Sequence, residues 1–146
     1  MKFGVNEKDH SIIVETDFTS RFEDCYVNQE RYIDCYLELD RYVSNGRLCL
    51  SIYSHTEGAI ARLTTNLPDY NIGIMEAFID ENNVPGAKDF LVENGFAKDL
   101  RISERSGYCD YPLVHLSLYK IIPYLHAEKR EGWKEALENG RLDYDG

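Results

Sequence analysis

The chain has 146 residues, of which 43% are hydrophobic and 29% charged. This composition suits one domain whose core needs no metal or disulfide, and it excludes a disordered chain. The net charge of −10 argues against direct nucleic-acid binding and against an anionic membrane surface, because both need clustered Lys and Arg.

Cysteine usage and hydropathy bear on the cellular compartment. Cys25, Cys35, Cys49 and Cys109 include no C-x-x-C pair and match no zinc spacing. Residues 1–15 hold no long apolar run of the kind found in signal peptides, and no stretch approaches the roughly 20 apolar residues of a membrane span. We therefore expect a cytoplasmic protein with reduced thiols, built as a single α+β domain over residues 1–146.

Strand signals begin early in the chain. Ser11–Glu15 is a short β-branched run that predicts a strand. Residues 16–31 are ambiguous, since Thr19 or Ser20 would cap a short helix that reaches Cys25.

The strongest pattern runs from Tyr32 to Leu67. Residues alternate from Tyr32 to Val43, and Asn45-Gly46 is typical of a two-residue hairpin turn in which both residues need positive φ. This turn predicts three cross-strand pairs: Val43 with Leu48, Leu39 with Ile52, and Tyr42 with Cys49. The inner face, broken only by Arg41, would comprise Ile33, Cys35, Leu37, Leu39, Val43, Leu48, Leu50 and Ile52. A turn at residues 55–58 and a third strand over residues 59–66 would complete an antiparallel meander.

The second half predicts short strands between helices. In order, we expect a loop over residues 66–71, a strand at 76–80, a helix capped by Asn83 and stopped by Asn94-Gly95, a hairpin of 100–104 with 113–118, and a helix over 127–139. Pro112 suggests an edge position or a strand start. Trp133, Ala136 and Leu137 would form the apolar side of the last helix, and residues 141–146 would fray. The fold class is therefore α+β, an antiparallel sheet of a meander plus a second hairpin, with two or three packed helices.

The outer face of the predicted hairpin combines tyrosines with acids, and we call it the tyrosine–acid face. It consists of Asp34, Tyr36, Glu38, Asp40 and Tyr42 on one strand and Cys49, Ser51, Tyr53 and His55 on the other. Acids at every second residue repeat at about 6.6–6.8 Å, which suits a basic nucleic-acid groove in a partner protein. The alternative is an ordinary solvated sheet face, in which tyrosines shield the sheet and acids keep it soluble.

Other residues give weaker evidence for a catalytic or metal-binding site. The run from Asp80 to Asn83 either binds a cation or, more simply, ends a strand and caps a helix. Cys109 lies near Asp110 and His115 in sequence, which suggests a thiol nucleophile only if a base lies within reach; the alternative is a structural cysteine. His10, His55, His115 and His126 form no metal-binding pair, and no catalytic motif is present. We therefore predict no enzyme activity, no cofactor and no metal.

Four segments resemble an uncharacterised family of short acidic proteins, the domain of unknown function numbered four-three-one-three. They are residues 63–67, 77–83, 90–95 and 106–112, with the sequences LTTNL, AFIDENN, FLVENG and SGYCDYP. The resemblance covers about half the chain, and the first 30 residues and the C-terminal helix lie outside it. It implies a protein carried on mobile elements of gut bacteria, and no catalytic residue to transfer.

That context suggests an acidic, non-enzymatic inhibitor of a nucleic-acid-directed host defence nuclease, of the anti-CRISPR or antirestriction type. It would occupy a basic surface of the nuclease and bind no nucleic acid or membrane itself. The candidate partner-binding residues are Asp34, Tyr36, Glu38, Asp40, Tyr42 and Tyr53, joined by Glu23, Asp24 and Glu30. The alternative is an accessory module that self-associates through an apolar patch as a homo-oligomer, without a nuclease target.

Overall fold

The computed structural model describes the backbone of residues 2–16, 21–22, 25–26 and 30–140, and the side chains of residues 2–15 and 35–140. The strands are β1 (Lys2–Asn6), β2 (Ser11–Thr16), β3 (Arg21–Phe22), β4 (Cys25–Tyr26), β5 (Glu30–Arg41), β6 (Leu48–Ser54), β7 (Gly58–Arg62), β8 (Thr64–Thr65), β9 (Glu76–Ile79), β10 (Ala97–Ser106) and β11 (Cys109–Leu116). The helices are α1 (Ala87–Glu93), α2 (Leu118–Ile121) and α3 (Ala127–Glu138), with a 3₁₀ turn at Ile122–Tyr124. Antiparallel sheets with three helices confirm the predicted α+β fold.

Two larger sheets meet at Leu63. The first has the strand order β1-β2-β5-β6-β7 and the second has the order β10-β11-β9-β8, while β3 and β4 pair separately. Leu63 lies between β7 and β8, and its N–H donates to the Leu50 carbonyl at 2.9 Å. The Leu63 carbonyl accepts from the Asp80 N–H, also at 2.9 Å. One segment therefore belongs to both sheets.

The core fills the space between the inner faces of these sheets. Alternation along β5 and β6 turns every second side chain inward, as the sequence predicts. The inward residues of the described part are at most 3% exposed: Cys35, Leu37, Leu39, Leu48, Leu50 and Ile52. The second sheet and the helices complete the core with Ile79, Val114, Leu116, Phe90, Leu91, Leu118 and Ile121. Each buried aliphatic side chain contributes about 1.5–3 kcal/mol of transfer free energy.

The register of the β5–β6 hairpin differs from the prediction by two residues. Leu39 pairs with Leu50 and Asp40 with Cys49, so the predicted pairs of Leu39 with Ile52 and Tyr42 with Cys49 are wrong. A shift of two residues leaves every side chain on its predicted face, because the side-chain period of a strand is two. Val43 is the exception, since it lies beyond the strand and is fully exposed.

The turn itself explains the shift. The Tyr42 N–H donates to the Arg47 carbonyl at 2.8 Å, which closes a four-residue loop over residues 43–46. Gly46 has φ of 72°, whereas Asn45 does not have positive φ, so the predicted two-residue turn is wrong. The Asn45 side chain instead accepts from the Arg47 N–H at 3.2 Å and donates to the Asn66 side chain at 3.0 Å.

The N-terminal part differs most from the predicted structure. The predicted strand at Ser11–Glu15 is confirmed as β2, and it pairs with β1, a strand that was not predicted. The short helix considered for residues 19–25 is wrong where it can be compared, because residues 21–22 and 25–26 form the β3–β4 pair. Thr19 and Ser20 lie outside the described residues.

Helix α1 forms where expected but begins differently. Asn83 does not cap it, because the helix starts only after Gly86, which has φ of 88°. Instead the Glu81 carboxylate accepts from the Gly86 N–H at 2.9 Å and from the Lys88 N–H at 2.6 Å. Asn83 donates its own N–H and its side-chain amide to the Asp80 carboxylate. The helix ends at Asn94 and Gly95, as predicted.

The second hairpin is confirmed as β10 and β11, with longer strands than predicted. Both positions suggested for Pro112 are wrong, because β11 starts at Cys109 and lies between β10 and β9. Pairing of β11 with β9 starts only at Leu113, so the missing N–H of Pro112 removes no bond from that ladder.

Strand β2 pairs only with residues 30–35 of β5. The C-terminal helix α3 lies beside the later part of the same β5 edge. Leu125 bridges to Leu37, and the Arg41 guanidinium lies 5.7 Å from the centre of the Trp133 ring. Trp133, Ala136 and Leu137 pack against the core, as predicted. None of the described helices has the length and apolar character needed to cross a membrane. The tail predicted to fray, residues 141–146, lies outside the described residues.

Candidate partner-binding surface

The described part of the tyrosine–acid face lies on the outer side of the β5–β6 hairpin. Tyr36 is paired with Tyr53 and Glu38 with Ser51. Leu37 and Leu39 point into the core, so the residues that alternate with them along β5 point outward. The structure thus brings Tyr36, Glu38, Asp40 and Tyr53 together on one surface, as the alternation predicts.

The two described acids of this face, Glu38 and Asp40, are only partly compensated by neighbouring groups. Asp40 is exposed, and one of its carboxylate oxygens accepts from the Arg41 N–H at 2.9 Å. The Glu38 side chain is 26% exposed and lies 3.9 Å from the Lys129 ammonium of α3. An exposed ion pair of this length is weak, and a competing charge can replace it at little cost.

Tyr42 contacts β8 at the turn end of the hairpin and is not part of the open surface of the face. Its hydroxyl lies 3.1 Å from the Thr64 hydroxyl, and that same Thr64 oxygen accepts from the Leu50 N–H. Burial raises the pKa of Tyr42 to about 12. Tyr42 therefore ties the hairpin to β8 and offers a partner little free surface.

Four rings cluster at the other end of the face, and we call them the Tyr–His cluster: Tyr36, Tyr53, His55 and His126. The Tyr36 ring centre lies 6.1 Å from Tyr53, 4.7 Å from His55 and 5.3 Å from His126. Burial, and then the nearby charge of Glu38, raise the pKa of Tyr36. Clustered aromatic rings with wet polar tips are typical of protein interfaces.

His126 also starts helix α3. Its Nδ1 accepts from the Glu128 N–H at 3.3 Å. The cap fixes the imidazole beside Tyr36 and His55. One residue therefore links the helix start to the Tyr–His cluster.

A groove of about 230 Å³ runs between β5 and α3. Its lining combines the rings of Tyr36 and His126, the charged residues Glu38, Glu128 and Lys129, and the buried leucines Leu37, Leu39 and Leu125. We call it the β5–α3 groove. His126 and Lys129 were not predicted as members of this surface, because they lie about 90 residues from Tyr36 along the chain. No local pattern marks that contact.

Comparison with known proteins identifies the family. The model of a domain of unknown function, DUF4313, matches residues 36–132, about two thirds of the chain. The chain belongs to the DUF4313 family. No curated protein and no solved structure matches it significantly.

The DUF4313 match begins at Tyr36 and ends inside α3. The expectation that the whole C-terminal helix lies outside the family is therefore wrong, since the first half of α3 is included. All the lining residues of the β5–α3 groove fall within the matched region.

Four predicted partner-binding residues have no described side chains. Asp34 and Glu30 belong to β5 by their backbone, and Glu23 and Asp24 lie outside the described residues. The DUF4313 match also begins after all four of them.

Other candidate residues of this DUF4313 chain have structural roles or are far apart. Cys109 and His115 lie at opposite ends of β11, roughly 20 Å apart at about 3.3 Å per residue. The Asp80 and Glu81 carboxylates bind backbone N–H groups around the start of α1, which supports the capping interpretation of that run. Among the side chains that the structure describes, no three of His, Cys, Asp and Glu are arranged to hold a metal ion.

Proposed function

We propose that this protein is a non-enzymatic, acidic binding protein that docks its tyrosine–acid face on a basic surface of a partner protein. We infer further that the partner is a nucleic-acid-directed host defence nuclease, inhibited because its basic surface is occupied. The observation that carries the proposal is the placement of Tyr36, Glu38, Asp40 and Tyr53 on one outer surface. The net charge of −10 supports a basic partner.

The physical requirements of such docking support the proposal. Tyrosine rings supply contact area at low conformational cost, and carboxylates at the rim steer a basic partner into place. The strands beneath Tyr36 and Tyr53 are buried on their inner side, so the rings stand on a rigid base. The charge attraction also implies that binding weakens as the salt concentration rises.

Charge reversal tests this face. Asp34, Glu38 and Asp40 are changed together to Lys, and a control variant changes the exposed residues Asp69, Glu93 and Asp110 to Lys. Both variants carry the same change in net charge, so a difference in binding between them depends on where the charges lie on the surface. Circular dichroism establishes that each variant is folded.

The measurement is affinity capture from a lysate of a strain that bears defence systems, with a salt gradient and mass spectrometry. We expect the wild type and the control to retain a nuclease that moderate salt releases, and to inhibit its cleavage of DNA or RNA. The face variant should lose both effects. If the face variant captures and inhibits the nuclease as well as the wild type does, this surface is excluded as the docking site.

The self-associating module is the second candidate, and one observation favours it. Ile102 is 50% exposed and Tyr108 is 97% exposed on the β10–β11 hairpin, and β10 is the last strand of its sheet. If this hairpin joins two copies, light scattering gives a dimer mass that falls when Ile102 is changed to Lys. A monomer mass at all concentrations removes this candidate.

A further inference from the structure

The β5–α3 groove has the size of a single side chain. Its volume of about 230 Å³ lies below the about 300–1,000 Å³ typical of pockets for small-molecule ligands. It opens beside the tyrosine–acid face, because Tyr36 and Glu38 belong to both. A partner docked on that face therefore comes within reach of the groove.

The lining suits a long side chain that ends in a planar cation. Leu37, Leu39 and Leu125 are at most 1% exposed, so an aliphatic stem in the groove would contact the rings of Tyr36 and His126 instead. The Tyr36 ring lines the groove, and a guanidinium group stacks favourably on an aromatic ring. Arginine fits this combination better than lysine, whose ammonium is a strongly hydrated point charge.

The charges of the groove favour a cation as well. Two carboxylates, Glu38 and Glu128, line it together with one ammonium, Lys129. Lys129 lies 3.9 Å from Glu38 with its side chain 52% exposed, so the chain places a cation of its own at this carboxylate. The pair is long and solvated, and a guanidinium that binds Glu38 with two parallel hydrogen bonds would displace the ammonium.

We propose that the β5–α3 groove receives one arginine side chain of the partner protein, with the guanidinium bound to Glu38 and stacked on Tyr36. This inference rests on the proposed function and names the contact at the centre of the docking surface. Lys129 then acts as a competitor that holds the site until the partner arrives.

A peptide titration tests the groove without the partner. The probe is acetyl-Gly-Arg-Gly-amide, added to full-length protein with ¹³C-labelled aromatic rings and followed by NMR. The comparison probe replaces arginine by citrulline, which has nearly the same shape and no charge. We expect the arginine peptide to shift the Tyr36 and His126 ring signals saturably, and the citrulline peptide to leave them in place.

Three variants sharpen the test. Glu38→Gln should weaken arginine-peptide binding about two- to five-fold, the range of a solvated charge pair, and Lys129→Ala should strengthen it by a similar factor. Asp69→Asn, an exposed acid outside the groove, should change nothing. Equal shifts with citrulline, no saturable shift, or weaker binding by Lys129→Ala would overturn the inference.

The same variants separate this inference from the proposed function. If triple charge reversal abolishes nuclease capture while Glu38→Gln and Lys129→Ala leave it unchanged, the docking surface stands and the arginine site fails. If the arginine peptide binds as expected but triple reversal leaves nuclease capture intact, the arginine site stands and the proposed function fails.

Discussion

Single polar residues hold several loops of this protein in place by binding backbone groups. Arg47 is only 9% exposed, and its guanidinium donates to the Leu67 carbonyl at 2.8 Å and to the Tyr70 carbonyl. It therefore ties the loop before β9 to the turn end of the β5–β6 hairpin. Tyr42 likewise ties the hairpin to β8 through Thr64. Because burial raises the pKa of Tyr42, the contribution of this contact can be measured as a function of pH.

Stability should fall in alkali partly because of Tyr42. Its pKa rises from 10.0 to about 12 on folding, so the unfolded chain loses the phenolic proton first. The Tyr42 contribution is fully present below pH 10 and is lost as the pH rises toward 12. Urea denaturation across this range should show a shallower loss of stability in Tyr42→Phe than in the wild type.

At neutral pH, Tyr42→Phe should cost about 0.5–1.5 kcal/mol through the lost hydrogen bond to Thr64. Burial also raises the pKa of Tyr36, Tyr111 and Tyr124, so some alkaline loss should remain. Tyr119→Phe is the control, because Tyr119 is 73% exposed. An unchanged alkaline slope in Tyr42→Phe would contradict the assignment.

At the scale of secondary-structure elements, the helices depend on caps that their own sequences do not show. Helix α1 has no side-chain cap at Gly86 and receives a carboxylate from Glu81, five residues earlier. Helix α3 is capped by the imidazole of His126, an uncommon N-cap residue. In both helices the cap also positions a loop or a ring, so the helix start and the neighbouring surface are coupled.

Removing the Glu81 carboxylate should destabilise the protein more than removing a similar carboxylate at the other end of α1. Glu81 accepts two backbone N–H groups, so Glu81→Ala should cost about 0.5–2 kcal/mol. Glu93→Ala is the control, because Glu93 is exposed in the last turn. Urea midpoints of the two variants measure the difference, and equal midpoints would contradict the cap.

At the scale of the whole molecule, Leu63 couples the two large sheets. Its N–H is bonded to β6 and its carbonyl to the residue after β9, and its side chain is fully buried. The main core also contains residues of both sheets, so neither sheet keeps a complete apolar partner without the other. We expect the described sheets to unfold together.

Leu63→Ala tests that coupling. The variant should lose about 2–5 kcal/mol, as large-to-small changes in a core do, and still unfold in one transition. Trp133 fluorescence and far-ultraviolet circular dichroism should therefore give the same midpoint. Val43→Ala is the control, since Val43 is fully exposed and should change little. Separate midpoints for the two signals would show that the sheets are independent.

The sequence by itself determined which residues face the core and which face outward on the β5–β6 hairpin. Alternation has a period of two, so it specifies the faces of Leu37, Leu39, Leu50 and Ile52 regardless of register. It did not determine the register, since a shift of two residues preserves both faces. Loop geometry decided that: the side chain of Asn45 and the left-handed Gly46 favour a four-residue loop.

Only the tertiary structure decided the candidate site. Tyr36 and Glu38 follow from alternation, but His126 and Lys129 join them because α3 packs along an edge of β5. That contact depends on the packing of buried side chains from distant parts of the chain, which leaves no periodic signal in the sequence. Local patterns thus specify strands, faces and fold class, whereas the groove arises where elements distant in sequence meet.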